Sequence, residues 1–206
     1  MWDERFAAEG YLFGTEPTAF LAAQAGLLSP GQRALAVADG EGRNSVWLAG
    51  QGLKVTAFDA SPVGVAKARR LAEARGVTVD FHIADIDAWD WDEAPFDVVA
   101  AIFIQFSPPG QRTRVFAGLR RAVRPGGLLL LHGYRPEQLA YGTGGPPDAA
   151  NMYDEALLRG AFGDWEVLHL AAYDTEIREG AGHAGMSALI DLVARRPALE
   201  RPDASA

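Results

Sequence analysis

The chain has 206 residues, of which 49% are hydrophobic and 10% aromatic, with a formal net charge of −8 and no cysteine. That is enough apolar material for one core, so a single domain over residues 1–197 with a frayed tail at 198–206 is expected. The missing cysteine excludes disulfides, thiolate zinc sites and a cysteine nucleophile. The acidic balance argues against a nucleic-acid partner, which a protein neutralising many phosphates meets with a basic excess.

The first residues, MWDERFAAEG, carry acids rather than a basic segment followed by an apolar one. The longest apolar run, VVAAIFI, falls far short of the roughly 20 residues a membrane span needs, so a soluble, cytoplasmic protein is expected, a monomer or weak homodimer. Residues 15–28, with Pro17 in the first turn, read as a helix ahead of the main fold. Ala34 to Ala38 then reads as a first strand and Arg43 to Gln51 as a helix stopping at Gly52. Lys54 to Phe58 is the second strand, and Pro62, behind the cap Ser61, opens a helix through Arg75 that ends at Gly76. Val77 to Ile83 is the third strand. Phe96 to Ile104 is continuously apolar, as a parallel strand buried on both faces should be. The segment QRTRVFAGLRRAVRP follows, with Val115, Leu119 and Val123 at helical spacing opposite Arg112, Arg114, Arg120, Arg121 and Arg124. It reads as an amphipathic helix with a solvated basic face. Pro125-Gly126-Gly127 turns into the fifth strand, LLLLHGY. Two further β-like runs, Trp165 to Ile177 and Met186 to Ala194, flank EGAGHAG with no helix between them, which makes a hairpin and one antiparallel strand. No internal repeat or dividing linker is present. The class is α/β, a doubly wound sheet with helices on both faces.

In such a sheet, ligands bind outside the carboxyl ends of the strands, beside the first strand, where VADGEGRNS lies. Gly40 and Gly42 let the backbone approach a ligand. Asp59, which follows the second strand, can accept hydrogen bonds from ribose hydroxyls. Gly-x-Gly with an acid is shared by nicotinamide, flavin and S-adenosylmethionine sites. Ser45 in place of a third small Gly or Ala, with Asp39 and Glu41 where a pyrophosphate would lie, disfavours a dinucleotide and favours a ligand bearing ammonium and sulfonium cations. Asp85 and Ile86, after the third strand, offer a carboxylate for an adenine amino group and an apolar cover for its ring.

The segments DGEGRNSVWLA, VTAFDAS, Asp85-Ile86, FDVVAAIF and RPGGLLLLHGY resemble, in order and spacing, the class I S-adenosylmethionine-dependent methyltransferases. WDERFAAEGYLFGTEPTAFL, YRPEQLAYGTGGP and EGAGHAGMSALI are similar to the small bacterial tellurite-resistance and thiopurine-methyltransferase-like branch. The resemblance implies a Rossmann-like sheet of seven strands in the order 3-2-1-4-5-7-6, strand seven antiparallel. It also implies S-adenosylmethionine as the cofactor, with Gly40 and Gly42 at its methionine part, Asp59 and Ala60 at the ribose, Asp85 and Ile86 at the adenine, and Phe103 in the same pocket. Relatives carry an acid inside the first strand, where this chain has Ala36 and Ala38, and Asp39 is the residue placed to take over the ammonium contact.

Methyl transfer from a sulfonium needs alignment more than acid–base help, and a base only for a neutral, weakly acidic acceptor. His183 in EGAGHAG, Tyr134 after strand five, Gln105 after strand four and Tyr11 on an amino-terminal lid are the candidate acceptor-side residues, with glycines leaving His183 accessible. His132, His169 and His82 read as packing or surface groups, and Trp2 and Phe13 as packing within the lid. AYGTGGPPD, with Tyr141, Thr143, Gly144 and Gly145, reads as a flexible cover over the acceptor pocket. Ser107-Pro108-Pro109-Gly110 lacks the Asp/Asn-Pro-Pro-aromatic pattern of amino-directed nucleic-acid methyltransferases, which points to a small-molecule acceptor. Arg5, Arg43 and Arg178 could draw an anionic one. The alternatives are a non-catalytic adenosyl-binding module and a nicotinamide-dependent oxidoreductase.

Overall fold

A computed structural model describes residues 2–92 and 95–198. The tail expected at 198–206 lies outside the described residues except for residue 198. The strands β1 (Arg33–Val37), β2 (Lys54–Asp59), β3 (Val79–Ile83), β4 (Phe96–Ile102), β5 (Val123–Tyr134), β6 (Glu166–Glu179) and β7 (His183–Arg195) form one sheet. Its order is β3-β2-β1-β4-β5-β7-β6, with β7 antiparallel to both of its neighbours and the other pairs parallel.

Side-chain alternation divides the core between the two faces of the sheet. Leu35, Val99, Ala101, Leu129 and Leu131 pack on one side beneath α5 (Pro109–Ala122) and α7 (Glu155–Phe162). Ala34, Val98, Ala100, Leu128 and Leu130 pack on the other, where α2 (Ala19–Ala23) contributes Phe20 and Leu21 and α3 (Arg43–Gly50) contributes Leu48. Beside them, α4 (Pro62–Ala74) buries Val65, Ala68 and Leu71 against Ala36 and Ala57. The edge strand β6 alternates exposed and half-buried residues, as expected where one side of the sheet ends in solvent.

Ser61 caps α4 by accepting from Gly64 N at 3.0 Å, with Pro62 in the first turn. The helix expected over residues 15–28 is shorter. Thr18 N is held by Asn44 Oδ1 at 3.1 Å, so α2 begins only at Ala19, and Gln24 breaks it into a 3₁₀ turn, Ala25–Leu27. Pro125-Gly126-Gly127 is a bulge inside β5 rather than a turn before it. Opposite the two-residue step from Phe96 to Val98, the partner jumps from Val123 to Leu128, and Gly126 takes φ +77°. Short helices α1 (Trp2–Phe6) and α6 (Gln138–Tyr141) and the amphipathic α7, capped by Asp154 through Leu157 N at 2.7 Å, were not read from the sequence.

The arginine-dotted helix is α5, with Val115 and Leu119 buried. Its charges are dispersed: Arg114 pairs with Asp87, Arg120 with Asp164, Arg121 with Asp92, and Arg124, at the start of β5, with Asp97. No helix among the described residues is long and apolar enough to cross a membrane.

Candidate functional site

The chain crosses from one half of the sheet to the other between β1 and β4, and a deep pocket opens there at the carboxyl ends of β1, β2 and β4. Asp39, Gly40, Asp59, Ala60, Asp85, Ile86, Phe103 and His183 all line it, so residues far apart in sequence meet at one place. Both oxygens of Asp59 are engaged, accepting from Gly40 N and Ser61 N at 2.8 Å each, so this side chain ties the loop after β1 to the loop after β2. Burial raises its pKa above the ordinary carboxylate value against those two bonds.

Asp39 accepts from Ser45 Oγ and from Ser45 N, in the first turn of α3. Burial nonetheless pushes its pKa up to about 7, with the Asp59 charge adding to the effect. Two carboxylates therefore share one end of the pocket without an ion-pair partner among the described residues. A cation brought there by a ligand would offset their cost. Ala38, just before them, takes φ +47°, a left-handed conformation rare for a residue with a side chain.

Gly42 does not line the pocket. Its φ is +92°, and a Cβ there would lie 2.6 Å from the Ala68 Cβ and 2.7 Å from its Cα, so this glycine lets α3 pack on α4. Gly42→Ala should cost about 3 kcal/mol from combined strain and overpacking, read as a lower urea midpoint. Gly40 does line the pocket, and its bare Cα accepts the Phe6 ring, which an added Cβ would meet at 3.2 Å. Farther along, Ile86 is buried and Asp85 exposed, with Asp85 Oδ1 accepting from Asp87 N at 2.8 Å.

At the other end, the His183 ring packs against Phe13 and Phe103, each 4.3 Å away between centroids. It is only 7% exposed, so the flanking glycines do not leave it open to solvent as expected. They serve the close crossing of the hairpin tip over the amino-terminal segment. A Cβ on Gly180 would meet Leu12 O at 2.4 Å, and one on Gly182 the Phe13 ring at 2.5 Å. Burial depresses the imidazole pKa, with Glu179 opposing and Arg43 reinforcing.

Three of the expected acceptor-side residues sit elsewhere. Gln105 is buried and its amide is spent on the Tyr134 backbone, donating to Tyr134 O at 2.7 Å and accepting from Tyr134 N, which fastens the loop after β4 to β5. Tyr134 is 1% exposed and packs behind His183, its hydroxyl unpartnered and held protonated by burial. Tyr11 packs on α4 and donates to Lys67 O at 3.3 Å. The cover expected at AYGTGGPPD also lies away from the pocket. Gly144 and Gly145 press on Tyr134, Thr143 donates to Met186 O at 2.5 Å, and Tyr141 donates to Asp174 at 2.8 Å.

The covering is done instead by Trp2, Phe6 and Phe13, which pack on one another, Trp2 stacked on Phe6 and Phe13 tilted or edge-on to both, and all line the pocket. Two buried ion pairs hold this lid. Glu41, expected to face the ligand, pairs with Lys67 at 2.8 Å and accepts from Leu12 N at 2.7 Å. Lys67 also donates to Ala8 O and Gly10 O. Arg43, expected to be available to an anion, pairs with Glu179 at 2.9 Å and donates to Phe13 O at 3.0 Å. Arg178 is taken by Glu176, and Arg5 lies over the Trp2 ring at 4.5 Å. Of the other histidines, His132 is buried against Asp191 at 2.6 Å, while His82 and His169 are surface groups beside Asp80 and Asp191. Nothing in the sequence pattern marked Phe6, Phe58, Phe106 or Asn44 as pocket walls, because each is an ordinary apolar or capping residue until the fold brings it there.

Residues 34–127 match a family model described as "Methyltransferase domain". The match runs from β1 through the loops carrying Asp39, Asp59 and Asp85 and stops before the hairpin. The ubiquinone biosynthesis O-methyltransferase of Methylocella silvestris is 35% identical over 103 residues, 48% of this chain and 38% of that protein. The matched stretch spans less than half the length of the curated relatives. Among solved structures, TehB from Haemophilus influenzae superposes with a TM-score of 0.70 at 19% identity, over 85% of this chain and 61% of that one. The magnesium protoporphyrin IX methyltransferase ChlM of Synechocystis PCC 6803, solved with bound SAH, gives 0.65 at 21%, over 86% and 78%. In its fold and in residues 34–127, the chain is similar to the class I S-adenosylmethionine-dependent methyltransferases, whose cofactor is S-adenosylmethionine.

Proposed function

We propose that this protein transfers a methyl group to a small, uncharged acceptor with a flat or soft apolar body. The observation that carries the cofactor half is the pair of carboxylates, Asp39 and Asp59, at one end of the pocket, neither with an ion-pair partner among the described residues. S-adenosylmethionine supplies a methyl carbon on a sulfonium, a good leaving group, together with an ammonium. In this reading Asp39 faces the cationic part, Asp59 and Ala60 the ribose, and Asp85 with Ile86 the adenine.

The acceptor half rests on the opposite wall. Phe13, Phe103, Phe106 and His183 line it, and Arg43, the arginine among the described lining residues, is paired with Glu179. An anionic acceptor would find no unpaired lysine or arginine among the described residues that line the pocket, whereas a thiol or phenol would find aromatic faces and a neutral imidazole. With S-adenosylmethionine bound, which would supply the methyl group and the sulfonium leaving group, His183 would take the proton that such an acceptor's sulfur or oxygen gives up. The lid excludes water while this happens.

The test is thermal unfolding with S-adenosylhomocysteine, S-adenosylmethionine and NAD in parallel, at pH 6 and pH 8. At about a hundred times its dissociation constant, a ligand adds roughly 2.7 kcal/mol, or on the order of 5–10 °C for a chain of this size. The adenosyl compounds should shift the transition and NAD should not; the reverse would sink the reading. Asp39 is protonated below about pH 7 in the free protein, and a cation favours its ionised form. S-adenosylmethionine affinity should therefore be full at pH 8 and about tenfold weaker at pH 6. Transfer of labelled methyl to small oxyanions, but not to aromatic thiols or phenols, would overturn the acceptor class.

A further inference from the structure

His183 and Glu179 are paired across the last rung of the β6–β7 hairpin, one at the start of β7 and the other at the end of β6. Glu179 Oε2 lies 3.8 Å from His183 Nδ1 and 2.9 Å from an Arg43 guanidinium nitrogen, and all three side chains are largely buried. Among the described residues, neither His183 Nδ1 nor Glu179 Oε2 has a hydrogen-bond partner. Phe13 and Phe103 pack against the ring, tilted to it by 41° and 55°. Arg43 is fixed in turn by the Phe13 carbonyl, so the carboxylate cannot swing away without giving up its buried cation. A carboxylate facing one imidazole nitrogen puts the proton on that nitrogen and the lone pair on the other.

We propose that Glu179 is the positioning residue for His183: its carboxylate, anchored by Arg43, holds the imidazole as the Nδ1–H tautomer and leaves the Nε2 lone pair as the base. This inference rests on the functional reading above, since it assigns the group that prepares the same histidine. When Nε2 takes the acceptor's proton, the imidazolium that forms sits beside a carboxylate already in place. The other titratable groups around the ring are consistent with this assignment. Arg43 from α3 is committed to Glu179, and Tyr134 from β5, edge-on at 5.6 Å, stays protonated. His132, also from β5, is held by Asp191. Glu179 itself is held down at about 2, the His183 and Arg43 contacts outweighing its burial, so it is ionised across the working range.

The experiment is nitrogen-15 NMR of the histidine side chains in the full chain, with His183→Asn used to assign the signal and Glu179→Gln as the test. In the unsubstituted protein at pH 7.5, His183 should be the Nδ1–H tautomer with an unprotonated Nε2. In Glu179→Gln, whose amide can donate to Nδ1, the population should move toward Nε2–H. With an aromatic thiol or phenol, kcat should fall about 10- to 100-fold while S-adenosylhomocysteine affinity stays within about threefold. His183 found as Nε2–H in the unsubstituted protein would overturn the proposal, as would a tautomer that Glu179→Gln leaves unchanged. If Glu179→Gln does not fold, the tautomer in the unsubstituted protein decides. Calorimetry with S-adenosylhomocysteine on the same samples keeps the two readings apart. Absent binding with an Nδ1–H tautomer would refute the cofactor assignment alone.

Discussion

Asp59→Ala is expected to weaken S-adenosylhomocysteine binding at least 100-fold and to lower stability by about 2 kcal/mol. Two functions meet in this carboxylate. It lines the pocket, and it accepts from Gly40 N and Ser61 N, so removing it frees two N–H groups, one buried and one partly buried, and the loops that carry them. A hydrogen bond to a charged group contributes roughly 1.5–3 kcal/mol, and part of that is returned here because ionised Asp59 is itself penalised by burial. Asp59→Asn separates the two functions. Its single carbonyl can still serve one of the two N–H groups, so much of the stability should survive. The charge and the second acceptor are gone, so affinity should still fall at least tenfold. Calorimetry and urea unfolding of both variants are the measurements. Unchanged affinity in folded Asp59→Ala would place the ligand elsewhere.

The central sheet was legible because each of its parts is a local pattern. Continuous apolar runs mark strands buried on both faces, Ser61-Pro62 marks a helix start, and Gly52 and Gly76 mark the helix ends. The pocket-lining loops were legible for the same reason, since Asp39, Gly40 and Asp85 follow, and Asp59 ends, a strand that the pattern already locates. The acceptor side is built differently. Phe13, Phe103 and His183 come from the lid, the loop after β4 and the hairpin, and only tertiary contact brings them together. The misplaced residues share that cause. Gln105 follows β4 and Tyr134 ends β5, but position alone does not reveal that the Gln105 amide is bound to the Tyr134 backbone. Gly42 matches a ligand-binding spacing, yet helix packing against Ala68 demands the glycine. Glu41 and Lys67, 26 residues apart, read as surface charges until α4 is folded against the loop after β1.

That last pair sets the second large effect: Lys67→Met should open the lid before it unfolds the protein. The Lys67 ammonium holds Ala8 O at 2.8 Å, Gly10 O at 2.6 Å and Glu41 Oε1 at 2.8 Å, with both side chains of the ion pair buried. Removing one partner of a buried pair typically costs 3–5 kcal/mol because the other charge is left uncompensated. The sheet need not bear that cost. Residues 2–14 can lift away and let water reach Glu41, which limits the penalty to the free energy of lid opening. Amide exchange at Leu12 and Gly182, whose N–H groups bond to Glu41 and to Leu12 O, should therefore quicken at least 100-fold while the strands stay protected. S-adenosylhomocysteine affinity should drop about tenfold as Trp2, Phe6 and Phe13 leave the pocket. Glu41→Gln combined with Lys67→Met removes the stranded charge, and much of the protection should return, because the remaining partner Leu12 N can donate to an amide oxygen as well as to a carboxylate. Slow exchange persisting at Leu12 in the single variant would instead mean that the stacked aromatics hold the lid without help from the ion pair.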